Sequence, residues 1–121
     1  MNVRPSFYLL AVALYCCAPA SEAGAHAIIM DARPAMNSTV APGDIDLRLR
    51  FNSKIDVARS SLTLSRPDGA TAPIAAASDA RKGEIGGRVS ATLEGRWTLH
   101  WQVLSLDGHI TRGDVIFFVR R

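Results

Sequence analysis

The sequence predicts an all-β fold: one small domain built as an antiparallel β-sandwich or barrel. Three observations favour it. Apolar and polar residues alternate along several short segments, turn-forming residues separate these segments at intervals of roughly 8 to 12 residues, and no segment shows the apolar period of a long helix. The 121-residue chain contains no internal repeat, which argues against a solenoid or propeller.

The segment DIDLRLRF, residues 44–51, is the clearest strand signal in the first half of the chain. Successive side chains of a strand point to opposite faces, so its apolar residues share one face and its charged residues the other. The predicted buried side chains are Ile45, Leu47, Leu49 and Phe51. The segment SSLTLS, residues 60–65, repeats the alternation. The turn residues of RPDGA, residues 66–70, then predict a hairpin, because proline presets φ and glycine permits a positive φ.

Three more strands are predicted in the second half: RVSATL (88–93), WTLHWQVLS (97–105) and DVIFFVR (114–120). In the first of them, Val89, Ala91 and Leu93 are expected on the buried face. In the second, alternation places four apolar side chains on one face, namely Trp97, Leu99, Trp101 and Val103. Residues 75–87 are rich in alanine and glycine, so we expect a loop there with at most a short strand or turn.

Residues 1–25 have the pattern of a secretory signal peptide. Arg4 supplies a positive n-region, residues 7–18 form an apolar h-region too short to span a bilayer, and Ala23-Gly24-Ala25 matches the small-residue cleavage site. A retained N-terminal anchor and a lipoprotein cleaved before a cysteine are the alternatives. The second is disfavoured because no small residue precedes Cys16 or Cys17. The sequence therefore predicts one mature domain, residues 26–121.

Cleavage after Ala25 removes both cysteines, so the mature domain would hold no disulfide, CxxC motif or thiolate metal site. The net charge stays at +3 after loss of Arg4 and Glu22, and the charges are scattered rather than clustered. This distribution gives no support to nucleic-acid binding. After Ala25, no apolar stretch approaches the length of about 20 residues that a transmembrane helix needs.

The segment LDGHI offers half of a metal site. Asp107 and His109 are two residues apart, so on an extended chain their carboxylate and imidazole project to the same side. The competing interpretation is that Asp107 and Gly108 only make a hairpin turn and leave His109 as a solvated loop residue.

His26 would begin the mature chain and could then bind a metal ion through two of its own groups. Its α-amine has an unperturbed pKa of about 7.7 and its imidazole can close a ring on the same ion. Together with Asp107 and His109 it would provide three nitrogens and one oxygen. Such a set in tetragonal geometry suits Cu(II), which also heads the affinity order of divalent metals.

The remaining candidates are weaker. His100 is expected on the solvated face of its strand. Met30 and Met36 are interpreted as core or loop residues. Trp97 and Trp101 are interpreted as core residues, and a carbohydrate-stacking platform is the alternative. No nucleophile with a base beside it, phosphate-binding loop or paired-carboxylate motif is evident in the sequence.

Three segments together resemble the CopC family of periplasmic copper-binding proteins, and they span nearly the whole mature chain. They are HAII at residue 26, ARPAMNSTVAPGDIDLRLRFN at 32–52, and WTLHWQVLSLDGHITRGDVIFFV at 97–119. The matching positions are the N-terminal His26, Pro34-Ala35, the strand ending at Phe51, and the motif formed by Trp101, Ser105, Asp107, His109 and Gly113.

The resemblance implies an immunoglobulin-like Greek-key β-sandwich or barrel with one Cu(II) ion held by His26, Asp107 and His109. It implies that the protein is a periplasmic copper carrier or buffer in copper uptake, homeostasis or resistance, and that it is not an enzyme. It also implies a separate CopD-type inner-membrane protein as a candidate partner. Ile110 stands where many members have proline, and Asn37 stands where glycine is common. A methionine-rich Cu(I) segment is missing.

Two other functions fit some of the same residues. An N-terminal histidine with a second histidine is also the ligand set of copper-dependent polysaccharide oxygenases, although Asp107 and the small domain argue against it. The other alternative is a metal-free β-sandwich that serves as an interaction module of the cell envelope.

Overall fold

A computed structural model describes residues 27–79 and 83–121. The predicted signal peptide, residues 1–25, and His26 lie outside the described residues. The described ranges form nine strands: β1 (Ile29–Arg33), β2 (Thr39–Val40), β3 (Gly43–Phe51), β4 (Ile55–Ser65), β5 (Thr71–Ile74), β6 (Ala77–Asp79), β7 (Glu84–Ala91), β8 (Gly95–Ser105) and β9 (Ile110–Val119). No membrane-spanning helix, long and apolar enough to cross a bilayer, occurs in the described ranges.

The strands form two sheets, and the predicted β-sandwich is confirmed. One sheet has four strands in the order β1-β3-β7-β6, and the other has five in the order β2-β9-β8-β4-β5. All pairs are antiparallel except β2 with β9, which run parallel. The turn before β2 passes through Asn37, whose φ of 60° lies in the left-handed region that asparagine tolerates better than most residues.

The core lies between the two sheets and is formed by the apolar faces that alternation predicts. Its largest members pack as aromatic pairs: Trp97 stacks on Phe117 with centroids 6.3 Å apart, and Phe51 meets Trp101 edge to face at 5.1 Å. Trp97 and Trp101 are 2% and 8% exposed, so core filling is confirmed and the carbohydrate platform is wrong. Burial of each such side chain contributes on the order of 2–3 kcal/mol of hydrophobic free energy.

The structure departs from the sequence expectations at short segments. The stretch expected to be mainly loop supplies β6 and the start of β7. Gly86 on β7 allows this strand to pair with β3, because a Cβ at position 86 would collide with the carbonyl oxygen of Leu47 on β3. Leu93 lies beyond the end of β7 and is partly exposed rather than buried. Met30 and Met36 are 57% and 51% exposed, so neither is a core residue.

Candidate metal centre

The β8–β9 hairpin carries both of the predicted ligands that the structure describes. Leu104 pairs with Ile110, and the loop between them is closed by the Ser105 N–H, which donates to the His109 carbonyl at 2.9 Å. The Gly108 N–H donates to the Ser105 carbonyl at 2.9 Å, and Gly108 adopts a φ of 91°. Asp107 and Gly108 therefore form a tight turn, as the competing interpretation held, and this turn also directs the two predicted ligand side chains.

The carboxylate of Asp107 is held by two donors within the loop. Its Oδ1 accepts a hydrogen bond from the Ser105 hydroxyl at 2.5 Å and one from the His109 backbone N–H at 3.2 Å. The Ser105 oxygen also lies 3.0 Å from the His109 carbonyl oxygen. A hydroxyl has only one proton, and Ser105 donates it to Asp107 Oδ1, which is the closer acceptor. Ser105 itself is buried, so this support is shielded from water.

These donors stabilise the ionised form of Asp107. The Ser105 hydrogen bond, followed by the His109 backbone hydrogen bond, lowers the pKa of Asp107 from 3.8 to about 2. The carboxylate is consequently a permanent anion at neutral pH, as a metal ligand must be.

The imidazole of His109 lies against this carboxylate. Its Nδ1 is 3.2 Å from Asp107 Oδ1, and the two side chains are 42% and 37% exposed. The structure thus brings together a nitrogen donor and an oxygen donor at a partly open surface. Sequence spacing predicted this convergence correctly.

The described chain begins immediately after His26, and its first residues are firmly attached. Ala27 is buried in the core. The Ile28 N–H donates to Asn52 Oδ1 at 2.8 Å, and the Asn52 N–H donates back to the Ile28 carbonyl at 3.0 Å. The turn between β3 and β4 therefore fixes the position of Ile28, two residues after His26.

The same turn, residues 52–54, also contacts the loop that carries Asp107. The Leu106 N–H donates to the Lys54 carbonyl at 3.3 Å, and Ser53 and Lys54 line a small depression together with Ser105, Leu106 and Asp107. One turn thus holds both the N-terminal segment and the Asp107 loop at one end of the sandwich.

Asn52 and Ser105 had no predicted role beyond their place in the family resemblance. A usable signal exists, since short polar side chains at strand ends commonly bond to backbone groups. Among residues 27–79 and 83–121, no group of three or more His, Cys, Asp and Glu side chains is placed to hold a metal ion. Asp107 and His109 are two of the three predicted ligand residues, and the third, His26, lies outside these ranges.

The other candidate side chains lie elsewhere. His100 is on the outer face of the five-stranded sheet, as expected, but its imidazole bonds to Ser65 and Asp114. The sequence pattern singled out no serine beside a histidine, so this contact was not predicted. Met30 lies on β1, whereas Met36 lies in the following loop and accepts a hydrogen bond from the Ile116 N–H through its sulfur at 3.4 Å.

Comparison with known families identifies the domain. The model of the CopC domain matches residues 29–120, which is most of the chain. The chain belongs to the CopC family. The sandwich of this CopC domain is also similar to solved structures of copper-related proteins, whereas a comparison with curated protein sequences gives no match.

Two solved structures illustrate the likeness. CopC from Methylosinus trichosporium OB3b is 29% identical with a TM-score of 0.65, and the match covers 78% of this chain and 93% of that one. PcoC from Escherichia coli, a methionine-rich copper resistance protein, is 23% identical with a TM-score of 0.62, and the match covers 79% of this chain and all of that one. The second likeness shows the fold alone.

Proposed function

We propose that the mature protein is a periplasmic Cu(II)-binding protein that carries or buffers copper in uptake, homeostasis or resistance. One ion is held by the amine and imidazole of His26, the carboxylate of Asp107 and the imidazole of His109. Binding, rather than turnover, is the function of this copper site. The observation that carries the proposal is the 3.2 Å approach of His109 Nδ1 and Asp107 Oδ1 beside the attachment point of the N-terminus.

The spacing of these two atoms suits adjacent ligands of one ion. Metal–nitrogen and metal–oxygen bonds of about 2.0–2.1 Å at a right angle put the two ligand atoms about 2.9 Å apart. The observed 3.2 Å is close to this separation, so only a small adjustment is needed for both atoms to bind one ion. The lowered pKa of Asp107 supplies the negative charge without further proton loss.

The fixed position of Ile28 supports the assignment of His26 as the third ligand residue. Consecutive Cα atoms are about 3.8 Å apart, so His26 begins within one residue of the buried Ala27. The turn at residues 52–54 contacts both this segment and the Asp107 loop. A histidine at the mature terminus can thus extend over the same end of the sandwich.

Export is part of the proposal. Only cleavage after Ala25 turns His26 into an amine and imidazole chelate, and the predicted signal peptide delivers the chain to the periplasm. A CopD-type inner-membrane protein is the partner we propose for copper transfer, in line with the family.

The deciding experiment compares three forms of the protein by Cu(II) titration against a competing chelator. The first begins at His26, the second carries Gly-Ser before His26, and the third carries Gly-Ser after Arg121 as the matched control. We expect the N-terminal addition to weaken binding by at least about a hundredfold, because it converts the amine into an amide that keeps its proton. The C-terminal addition should have no effect.

Equal affinity for all three forms would remove His26 from the ligand set. Absence of stoichiometric copper uptake by the form beginning at His26 would instead favour the metal-free interaction module. Mass spectrometry of the protein recovered from the periplasm determines which residue begins the natural mature chain.

A further inference from the structure

A second chemical site lies on the outer face of the five-stranded sheet, apart from the β8–β9 loop. It involves one residue from each of three neighbouring strands: Ser65 on β4, His100 on β8 and Asp114 on β9. His100 pairs directly with Asp114 in the register of the sheet, whereas Ser65 is displaced by two residues from Thr63, the direct partner of His100. This diagonal offset lets the long imidazole reach between the two shorter side chains.

The three side chains form a continuous hydrogen-bonded chain. Ser65 Oγ lies 2.7 Å from His100 Nε2, and His100 Nδ1 lies 2.7 Å from Asp114 Oδ1. An ionised carboxylate only accepts, so the proton of a neutral imidazole belongs on Nδ1 and the lone pair of Nε2 faces the serine. The Ser65 hydroxyl then donates to His100, which is the arrangement that prepares a serine for nucleophilic attack.

Two of the three side chains face solvent, whereas Ser65 is half-buried and does not line the groove beside them. The side chains of His100 and Asp114 are 42% and 56% exposed, and both line a shallow groove of about 440 Å3. Gln102 and Arg112 lie in the same groove, where the Arg112 Nε–H donates to Gln102 Oε1 at 2.6 Å.

We propose that Ser65, His100 and Asp114 form a nucleophilic site that accepts acyl groups from small carboxylic esters. Ser65 Oγ bonds to the ester carbonyl carbon while its proton passes to His100 Nε2. The bond from that carbon to the leaving alcohol then breaks, and the alcohol departs with the proton from His100. Water repeats the sequence on the acylated serine and releases the carboxylic acid. Asp114 is a positioning residue that fixes the tautomer and orientation of the imidazole.

This activity is independent of the proposed copper site, because it uses none of its ligands. The test uses the chain beginning at His26 and p-nitrophenyl acetate, with release of nitrophenol followed by absorbance and acetylated peptides mapped by mass spectrometry. We expect acetyl groups on Ser65 and the same rate with and without Cu(II).

Three variants and one matched control assign the roles. Ser65→Ala should abolish labelling, and His100→Gln should slow acylation by about a hundredfold, as expected for loss of a general base. Asp114→Asn should lower kcat by at least about tenfold at unchanged KM, which loss of a merely structural contact would not produce. Ser90→Ala removes an exposed serine from β7 in the other sheet and should react like the unaltered protein.

Far-UV circular dichroism verifies that each variant is folded. The proposal is overturned if acetyl groups appear equally on Ser90 and Ser65, if Ser65 remains unlabelled in the folded protein, or if hydrolysis requires Cu(II). Because labelling of the unaltered chain is measured directly, misfolding of a variant would not leave the question open.

Discussion

Asn52 and Ile28 exchange two hydrogen bonds, one through the Asn52 side chain and one through its backbone N–H. This pair joins the first strand of one sheet to the turn that leads into the other. Since the next contact of that turn is with the loop carrying Asp107, a small polar side chain links the N-terminal segment to the candidate metal centre.

Asn52→Ala should lower both the free energy of unfolding and the affinity for Cu(II). The change removes the acceptor for the Ile28 N–H at an exposed position, so we expect a loss of about 0.5–1 kcal/mol in stability. Copper affinity should fall because the N-terminal segment is held less firmly. Urea unfolding of the metal-free protein and Cu(II) titration measure the two effects.

Asn52→Asp is the matched control, because it retains an oxygen that can accept from Ile28. It should stay close to the unaltered protein in both measurements. Equal copper affinity in the alanine and aspartate variants would show that this link does not position the metal ligands.

Ser105→Ala should raise the pKa of Asp107 toward its ordinary value and weaken Cu(II) binding. The hydroxyl of Ser105 is the main cause of the lowered pKa and the closest support of the carboxylate. Groups that orient a ligand typically contribute about tenfold or more to metal affinity. NMR titration of the Asp107 carboxyl and Cu(II) titration are the measurements.

Ser53→Ala provides the comparison for Ser105→Ala. The Ser53 hydroxyl lies in the same depression and makes no hydrogen bond within the described residues. Its removal should leave the pKa of Asp107 and the copper affinity unchanged. If both alanine variants weaken binding equally, the effect comes from repacking of the loop and not from the Ser105 hydrogen bond.

The metal-free protein should owe part of its stability at neutral pH to Asp107 and should lose that part in acid. The pKa of this group is lowered from 3.8 to about 2 on folding, so its contribution is complete above the ordinary value and disappears as the pH falls through the folded value. Relative to Asp107→Asn, the unaltered protein should have a constant advantage in unfolding free energy above about pH 5.

That advantage should shrink between pH 3.8 and about 2. Urea unfolding of both proteins across this range, with metal removed, measures it. A difference that stays constant down to pH 2 would mean that the Ser105 and His109 hydrogen bonds do not favour the ionised carboxylate.

Gly113→Ala should destabilise the fold by about 1–3 kcal/mol, because core overpacking forces neighbouring side chains to move. A Cβ at position 113 would collide with the indole ring of Trp101 on the neighbouring strand. Thermal unfolding measures the change. The penalty should be smaller in a Trp101→Phe background, where atoms struck by the new methyl group are gone, and an equal penalty in both backgrounds would exclude this collision as the cause.

The sandwich was predictable where a strand is long enough to show its period. Leu47, Leu49 and Phe51 alternate with charged residues over one strand, and all three are buried as expected. Strand β2 has two residues and β6 has three, too few for alternation to be visible. Their pairing depends on distant backbone groups, which local patterns do not encode.

The two candidate sites also differ in how far apart their residues lie in the sequence. Asp107 and His109 are two residues apart and meet within one tight turn, so their convergence forms locally in the chain. Ser65 and His100 are 35 residues apart, and they meet only because of the register between β4 and β8. The difference between a predicted and a missed constellation is therefore the sequence distance over which it forms.

The two ends of the proposed copper site belong to different sheets. The segment after His26 enters β1 of the four-stranded sheet, whereas Asp107 and His109 join β8 and β9 of the five-stranded sheet. A bound ion would link the two sheets at this end of the sandwich. The sheets could not separate there until the ion had dissociated. Copper loading should therefore raise the melting temperature, by an amount that grows with free Cu(II), and slow amide exchange on both flanking layers together.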